Sequence, residues 1–179
     1  MLAPIASSEP SNTPDLRVAR AQRGDAEAFG ALYVEYAPAV YGLAMRISRN
    51  GPEAEDLVQD TFLEVWHALP GFRGESAFGT WLYRIAARVI WARMRRVSSE
   101  AWLDLDAASN VPSPATPVAE RLDLERAMER LPRGARLVLL LREVHGLSYD
   151  AIAQQLAVSI GTVKSQLHRA RHLMLEWLD

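Results

Sequence analysis

Apolar residues recur along the chain at three- and four-residue spacing, and no segment alternates apolar and polar positions long enough to form a strand. From Asp25 the positions Phe29, Leu32, Tyr33, Tyr36, Val40, Leu43, Ala44 and Ile47 keep a helical period, and Pro38 within that run predicts a bend or an interruption. Asn50-Gly51-Pro52 breaks the chain and starts another helix, with Pro52 near its first turn, running to Leu69 before Pro70-Gly71 stops it. A loop from Gly71 to Gly79 holds three glycines, and a further helix follows from Ala77 to Val97. Later helical patterns cover Val118–Leu131, Arg133–Val144, Ser148–Ala157 and Ser159–Leu178. The expectation is an all-α protein, without internal repeats, built as two small helical domains joined by a flexible linker.

The domain limits follow from composition. Residues 1–15, with three prolines among Ser, Asn and Thr, predict a disordered lead-in. Residues 98–118 carry three prolines, in Pro112 to Pro117, with few large apolar side chains, and predict the linker. This leaves residues 16–97 and 119–179 as the two domains. The N-terminus lacks a basic stretch followed by an apolar one, so no secretory signal is expected and the cytoplasm is the expected compartment. The longest apolar run, Leu137 to Leu141, is far shorter than the roughly 20 residues of a membrane helix, so no direct membrane insertion is expected. The absence of cysteine excludes disulfides, thiolate metal ligands and thiol nucleophiles, in keeping with a reducing compartment.

Net charge is only -2, but the signs are sorted. Glu53 to Glu64 holds five acids and no base, whereas Trp81 to Val97 holds five arginines and no acid. Two surfaces of opposite sign are predicted.

Three constellations carry candidate chemistry. On the acidic helix, Glu53, Asp56, Asp60 and Glu64 fall in a stripe about 80° wide, opposite Val58, Phe62, Val65, Trp66 and Leu69. Like charges at this spacing repel, which a basic protein partner would offset; a plain solvated face is the alternative. On the arginine helix, Arg84, Arg88, Trp91 and Arg95 fall within about 60°, with Trp81 beside them. Guanidinium groups suit phosphates and indole rings suit unpaired bases, so the stripe fits melted DNA. The alternative is a solvated face whose tryptophans sit half in the core.

The third is a pair of short C-terminal helices, each preceded by a capping serine, Ser148 and Ser159. Ile152, Ala153 and Leu156 give the first an apolar face, as do Val163, Leu167 and Ala170 the second. The opposite side of the second shows Thr162, Ser165, His168 and Arg169, with Lys164, the only lysine in the chain, on a flank. This is a helix-turn-helix layout, in which the second helix enters the major groove; an ordinary helical hairpin is the alternative. No His-and-carboxylate cluster supports a metal site, a cofactor or catalysis.

In order and spacing the chain resembles the extracytoplasmic-function (group IV) sigma factors of the bacterial sigma-70 superfamily. The resemblance rests on Ala54-Glu55-Asp56-Leu57-Val58-Gln59-Asp60-Thr61-Phe62, on Phe78-Gly79-Thr80-Trp81-Leu82-Tyr83-Arg84-Ile85-Ala86, and on Leu131-Pro132 with Gly146-Leu147-Ser148-Tyr149 and Gly161-Thr162-Val163-Lys164-Ser165. It implies a non-enzymatic transcription initiation factor, with a sigma-two-like and a sigma-four-like domain, that binds core RNA polymerase and directs it to promoters. By that resemblance Asp56, Gln59, Asp60 and Glu64 dock on the beta-prime clamp, and the beta flap is a further implied contact on the polymerase. Phe72, Arg73, Phe78, Trp81, Arg84, Arg88, Trp91 and Arg95 meet the minus-ten element, one extruded base lying near Phe72, Arg73 and Phe78. Thr162, Lys164, Ser165, Gln166, His168 and Arg169 meet the minus-35 element. An anti-sigma factor covering both domains is the implied regulator, and stress the implied signal.

Four departures from the family pattern stand out. Similar proteins often carry Asn where Arg88 stands, Asp where Ala92 stands and Arg where Gln166 stands. Ala151 replaces the acid that often completes a capping box with Ser148. Two readings from other classes compete: a stand-alone helix-turn-helix regulator, which would need neither charged helix, and a metal-dependent hydrolase using Asp56 and Asp60, which would need divalent cations.

Overall fold

The structure, a computed structural model, describes residues 15–97 and 126–178, which are helical throughout apart from short turns and loops, with no strand among them. Residues 1–14 of the predicted lead-in, the linker over 98–118 and the first residues of the helix predicted from Val118 lie outside the described residues, whereas Asp15, the last residue assigned to the lead-in, caps the first helix. The chain divides into two compact units between Ile90 and Trp91.

The first unit opens with α1 (Leu16–Gln22), α2 (Ala26–Ser48) and α3 (Gly51–Ala68), the last extended by a 3-10 turn, Leu69–Gly71. Each helix starts where a short polar side chain takes an orphan amide: Asp15 accepts from the Arg17 N–H, Asp25 from Ala28 and Asn50 from Glu53. Pro38 does not interrupt α2, which runs unbroken for 23 residues. One missing N–H bond costs less than the core that Leu32, Val40, Leu43, Ala44 and Ile47 build on both sides of it. The helix stops at Arg49, which adopts a left-handed conformation at φ 56° and donates its N–H to the Met45 carbonyl. Helix α4 (Phe78–Val97) contributes Leu82, Ile85, Ala86 and Ile90 to buried positions, alongside Leu57, Phe62, Val65 and Leu69.

Seven-residue α1 has no counterpart among the predicted elements. Its apolar face is only Val18 and Ala21, and Leu16 is exposed, so no amphipathic period announces it. Polar contacts, one local and the rest long-range, hold it instead. Arg17 binds Asp15 at 2.7 Å and Glu35 of α2 at 2.6 Å, and Gln22 donates to the carbonyls of Leu69 and Phe72 at 3.2 and 2.7 Å.

In the second unit a helical turn over 126–130 leads through Leu131-Pro132 into α5 (Arg133–Glu143), followed by α6 (Tyr149–Leu156) and α7 (Ile160–Leu178). Ala135, Leu137, Val138, Leu141, Ile152, Leu156, Val163, Leu167 and Ala170 are among its buried apolar positions. Arg136 is buried too, at 3 % exposure, because its guanidinium donates to the carbonyls of Glu129 and Leu131, which end the preceding turn.

Candidate polymerase and nucleic-acid interfaces

Helix α3 separates its residues cleanly. Ala54, Leu57, Val58, Thr61, Phe62 and Val65 are buried, and the Thr61 hydroxyl is satisfied by the Leu57 carbonyl at 2.6 Å. Asp56, Gln59, Asp60 and Glu64 are exposed on the other side, with Glu53 half-buried at the first turn. Leu63 is exposed among them, an apolar side chain inside the acidic stripe that charge sorting alone did not single out. Trp66 stands at the edge of the buried face, its ring 4.8 Å from that of Phe29.

On α4, Arg84, Arg88 and Arg95 are exposed along one side and Trp81 is half-buried beside them. Trp91 is not part of that open surface. At 3 % exposure it is a core residue, and the helical angle explains why: it stands at the margin of the stripe, one step from buried Ala87 and Met94. In the free chain Trp91 therefore lies inside, as in the alternative reading of tryptophans set into the core, while Trp81 stays beside the arginines. Arg88 Nη2 lies 3.4 Å from Glu64 Oε2, so the acidic and arginine helices are joined at their exposed faces.

The loop between them is built from aromatic rings. Phe72 and Trp81 lie 4.9 Å apart, Phe72 and Phe78 5.9 Å, Phe78 and Trp81 5.8 Å, and Tyr36 of α2 closes the group at 5.3 Å from Phe78. Phe78 is buried and Phe72 half-buried, while Arg73 is exposed. Phe78 thus shapes the cluster from below, and the free chain offers no open ring there. Two supports were not singled out in the sequence. Gln22 ties down the Phe72 carbonyl from 50 residues away. Gly79 lets the Tyr36 ring approach: a Cβ at 79 would stand 3.1 Å from Tyr36 Cε1. Neither leaves a periodic signal, since each depends on the fold being closed.

In the second unit the two predicted caps are present. The Ser148 Oγ accepts from the Ala151 N–H at 3.1 Å and the Ser159 Oγ from the Thr162 N–H at 3.0 Å. Between the helices Ala157 turns the chain at φ 53°, its N–H meeting the carbonyls of Ala153 and Gln154. Helix α7 buries Val163, Leu167 and Ala170, exposes Lys164, Ser165 and His168, and leaves Thr162, Gln166 and Arg169 half-buried. The Ser165 hydroxyl donates to the Thr162 carbonyl at 2.9 Å. Arg142 of α5 donates to the Leu147 carbonyl at 2.9 Å and lies 5.3 Å from the Tyr149 ring centre; Arg171 of α7 pairs with Glu143 at 3.0 Å. These contacts fix α6 and α7 against α5. Among the described residues no group of three or more His, Asp or Glu gathers to hold a metal ion, and no helix is long and apolar enough to cross a membrane.

Residues 32–100 match the family model of sigma-70 region 2 and residues 121–174 that of sigma-70 region 4. The chain is 37 % identical over 178 residues to the ECF RNA polymerase sigma-E factor of Haemophilus influenzae, across 90 % of this chain and 93 % of the relative. The chain belongs to the extracytoplasmic-function sigma factors. A second relative of this sigma factor, the RNA polymerase sigma-H factor of Pseudomonas aeruginosa, is 36 % identical over 169 residues, 86 % of this chain and 88 % of that one. Among solved structures, the sigma factor RpoE of Bartonella quintana in complex with the anti-sigma factor NepR superposes with TM-score 0.55 at 28 % identity, over 84 % of this chain and 96 % of that chain. CnrH in complex with the cytosolic domain of CnrY gives TM-score 0.55 at 28 % identity, over 92 % and 96 %. The sigma factor is thus a transcription initiation factor of the sigma-70 type.

Proposed function

We propose that residues 16–97 dock on core RNA polymerase through Asp56, Gln59, Asp60 and Glu64 and engage the minus-ten element through the arginine helix and its aromatic loop. Arg73, Arg84, Arg88 and Arg95 meet phosphates, and Phe72 and Trp81 take unpaired bases. Phe78, buried against the rings of Phe72 and Trp81, supports them from the core side. Residues 119–179 engage the minus-35 element through Thr162, Lys164, Ser165, Gln166, His168 and Arg169, and residues 98–118 are the linker that joins the two domains. The observation that carries the reading is the placement of exposed acids on α3 and exposed arginines on α4, joined at Glu64 and Arg88. A stand-alone helix-turn-helix regulator has no use for those surfaces.

The chain works without catalysis, in the cytoplasm, and an anti-sigma factor silences it; the NepR-bound relative supports that last step. Run-off transcription on sheared genomic DNA, with core polymerase alone and with core plus this chain, tests the whole reading. New discrete start sites are expected, lost on changing Asp56 and Asp60 to Arg. Tight DNA binding that never redirects polymerase would overturn it.

A further inference from the structure

Glu64 and Arg88 stand 24 residues apart on different helices, and each belongs to a different surface of the proposed reading. Their side chains are 55 % and 56 % exposed, so an outside partner can reach either one. A guanidinium satisfied by a carboxylate must give up that contact, at least in part, before it neutralises a phosphate at close range. We propose that Glu64 competes internally with promoter DNA for Arg88, so that seating the acidic helix on polymerase releases Arg88 to the melted strand. The inference rests on the reading above and deepens it.

Linkage gives its size and direction. If polymerase takes Glu64 and DNA takes Arg88, each ligand breaks the same pair, so each raises the affinity for the other by the same factor. An exposed pair of this kind supports a factor of about two to five. The geometry therefore makes free sigma factor a weaker DNA binder than its arginine surface alone would be.

The test is a double-mutant cycle on the full chain without polymerase, using anisotropy of a fluorescein-labelled single-stranded 20-mer of random sequence at about 0.15 M salt. Glu64→Gln is expected to tighten binding about two- to fivefold when Arg88 is present, and clearly less in an Arg88→Gln background. Equal gains in both backgrounds would reflect net charge alone and overturn the competition, as would no gain at all. Weaker binding by Arg88→Gln with an additive cycle overturns the competition but leaves Arg88 on the DNA surface. No change in Arg88→Gln overturns both. Superposable far-UV circular dichroism melts show that every variant is folded.

Discussion

The first unit sets opposite charges on adjoining exposed helix faces, whereas the second gives its recognition helix mostly hydroxyl, amide and imidazole groups, with Lys164 and Arg169 as the cations at the proposed DNA positions. The surfaces are also anchored differently. Around Phe72 and α4 the supports are long-range: Gln22 on the loop carbonyls, Tyr36 on Phe78, Glu64 on Arg88. Around α6 and α7 local caps stand beside one long tie: Ser148 and Ser159 satisfy amides three residues on, and Arg171 reaches Glu143 across 28 residues.

That contrast can be broken most severely by charge reversal. Asp56→Arg with Asp60→Arg should reduce run-off transcription by at least about 100-fold through loss of polymerase binding, because like charges facing across an interface cost several kcal/mol. Binding of the isolated chain to a duplex carrying the minus-35 element should be unchanged. Next in size, Leu167→Ala should destabilise by about 2–5 kcal/mol in urea unfolding, and Leu57→Ala by a similar amount. If the units unfold independently, each substitution shifts its own transition; one shared transition would remove the distinction between them.

Smaller effects separate phosphate contacts from base contacts. Lys164→Ala and Arg169→Ala should each weaken minus-35 binding by about 1–3 kcal/mol, and whichever side chain meets phosphate should also lower the slope of log affinity against log salt by about 0.9. A titration of affinity against salt assigns them. The mildest change is Ser159→Ala, which removes the cap of α7 and should cost about 1 kcal/mol of stability by thermal melting. An equal substitution at Ser165, which bonds within the helix, should cost less, and the reverse order would contradict the role given to the caps.

The elements that the sequence announces are those whose signal is local. Asp25, Asn50, Ser148 and Ser159 stand where helices begin, and the three- and four-residue period of Leu32, Val40, Leu43 and Ile47 marks the buried face of α2. Helix α1 escapes because two small buried residues make no period and its hold is an ion pair to Glu35. The persistence of α2 through Pro38 escapes because the packing that outweighs a lost N–H lies in other helices. At the candidate surfaces, the exposed acids and Arg84, Arg88 and Arg95 follow from helical angle, while Trp91 does not. An angle places a Cβ, but a large ring at the boundary goes where the core has room, and at 91 that is inward.

Lys164 has a practical consequence. The chain has no cysteine and a single lysine, and that lysine is exposed on the helix assigned to the minus-35 element. Amine-reactive chemistry therefore addresses one side chain besides the chain's own amino terminus. A dye attached there would report the arrival of DNA on the unmutated sequence, and acylation of Lys164 would erase the helix's only ammonium in one chemical step.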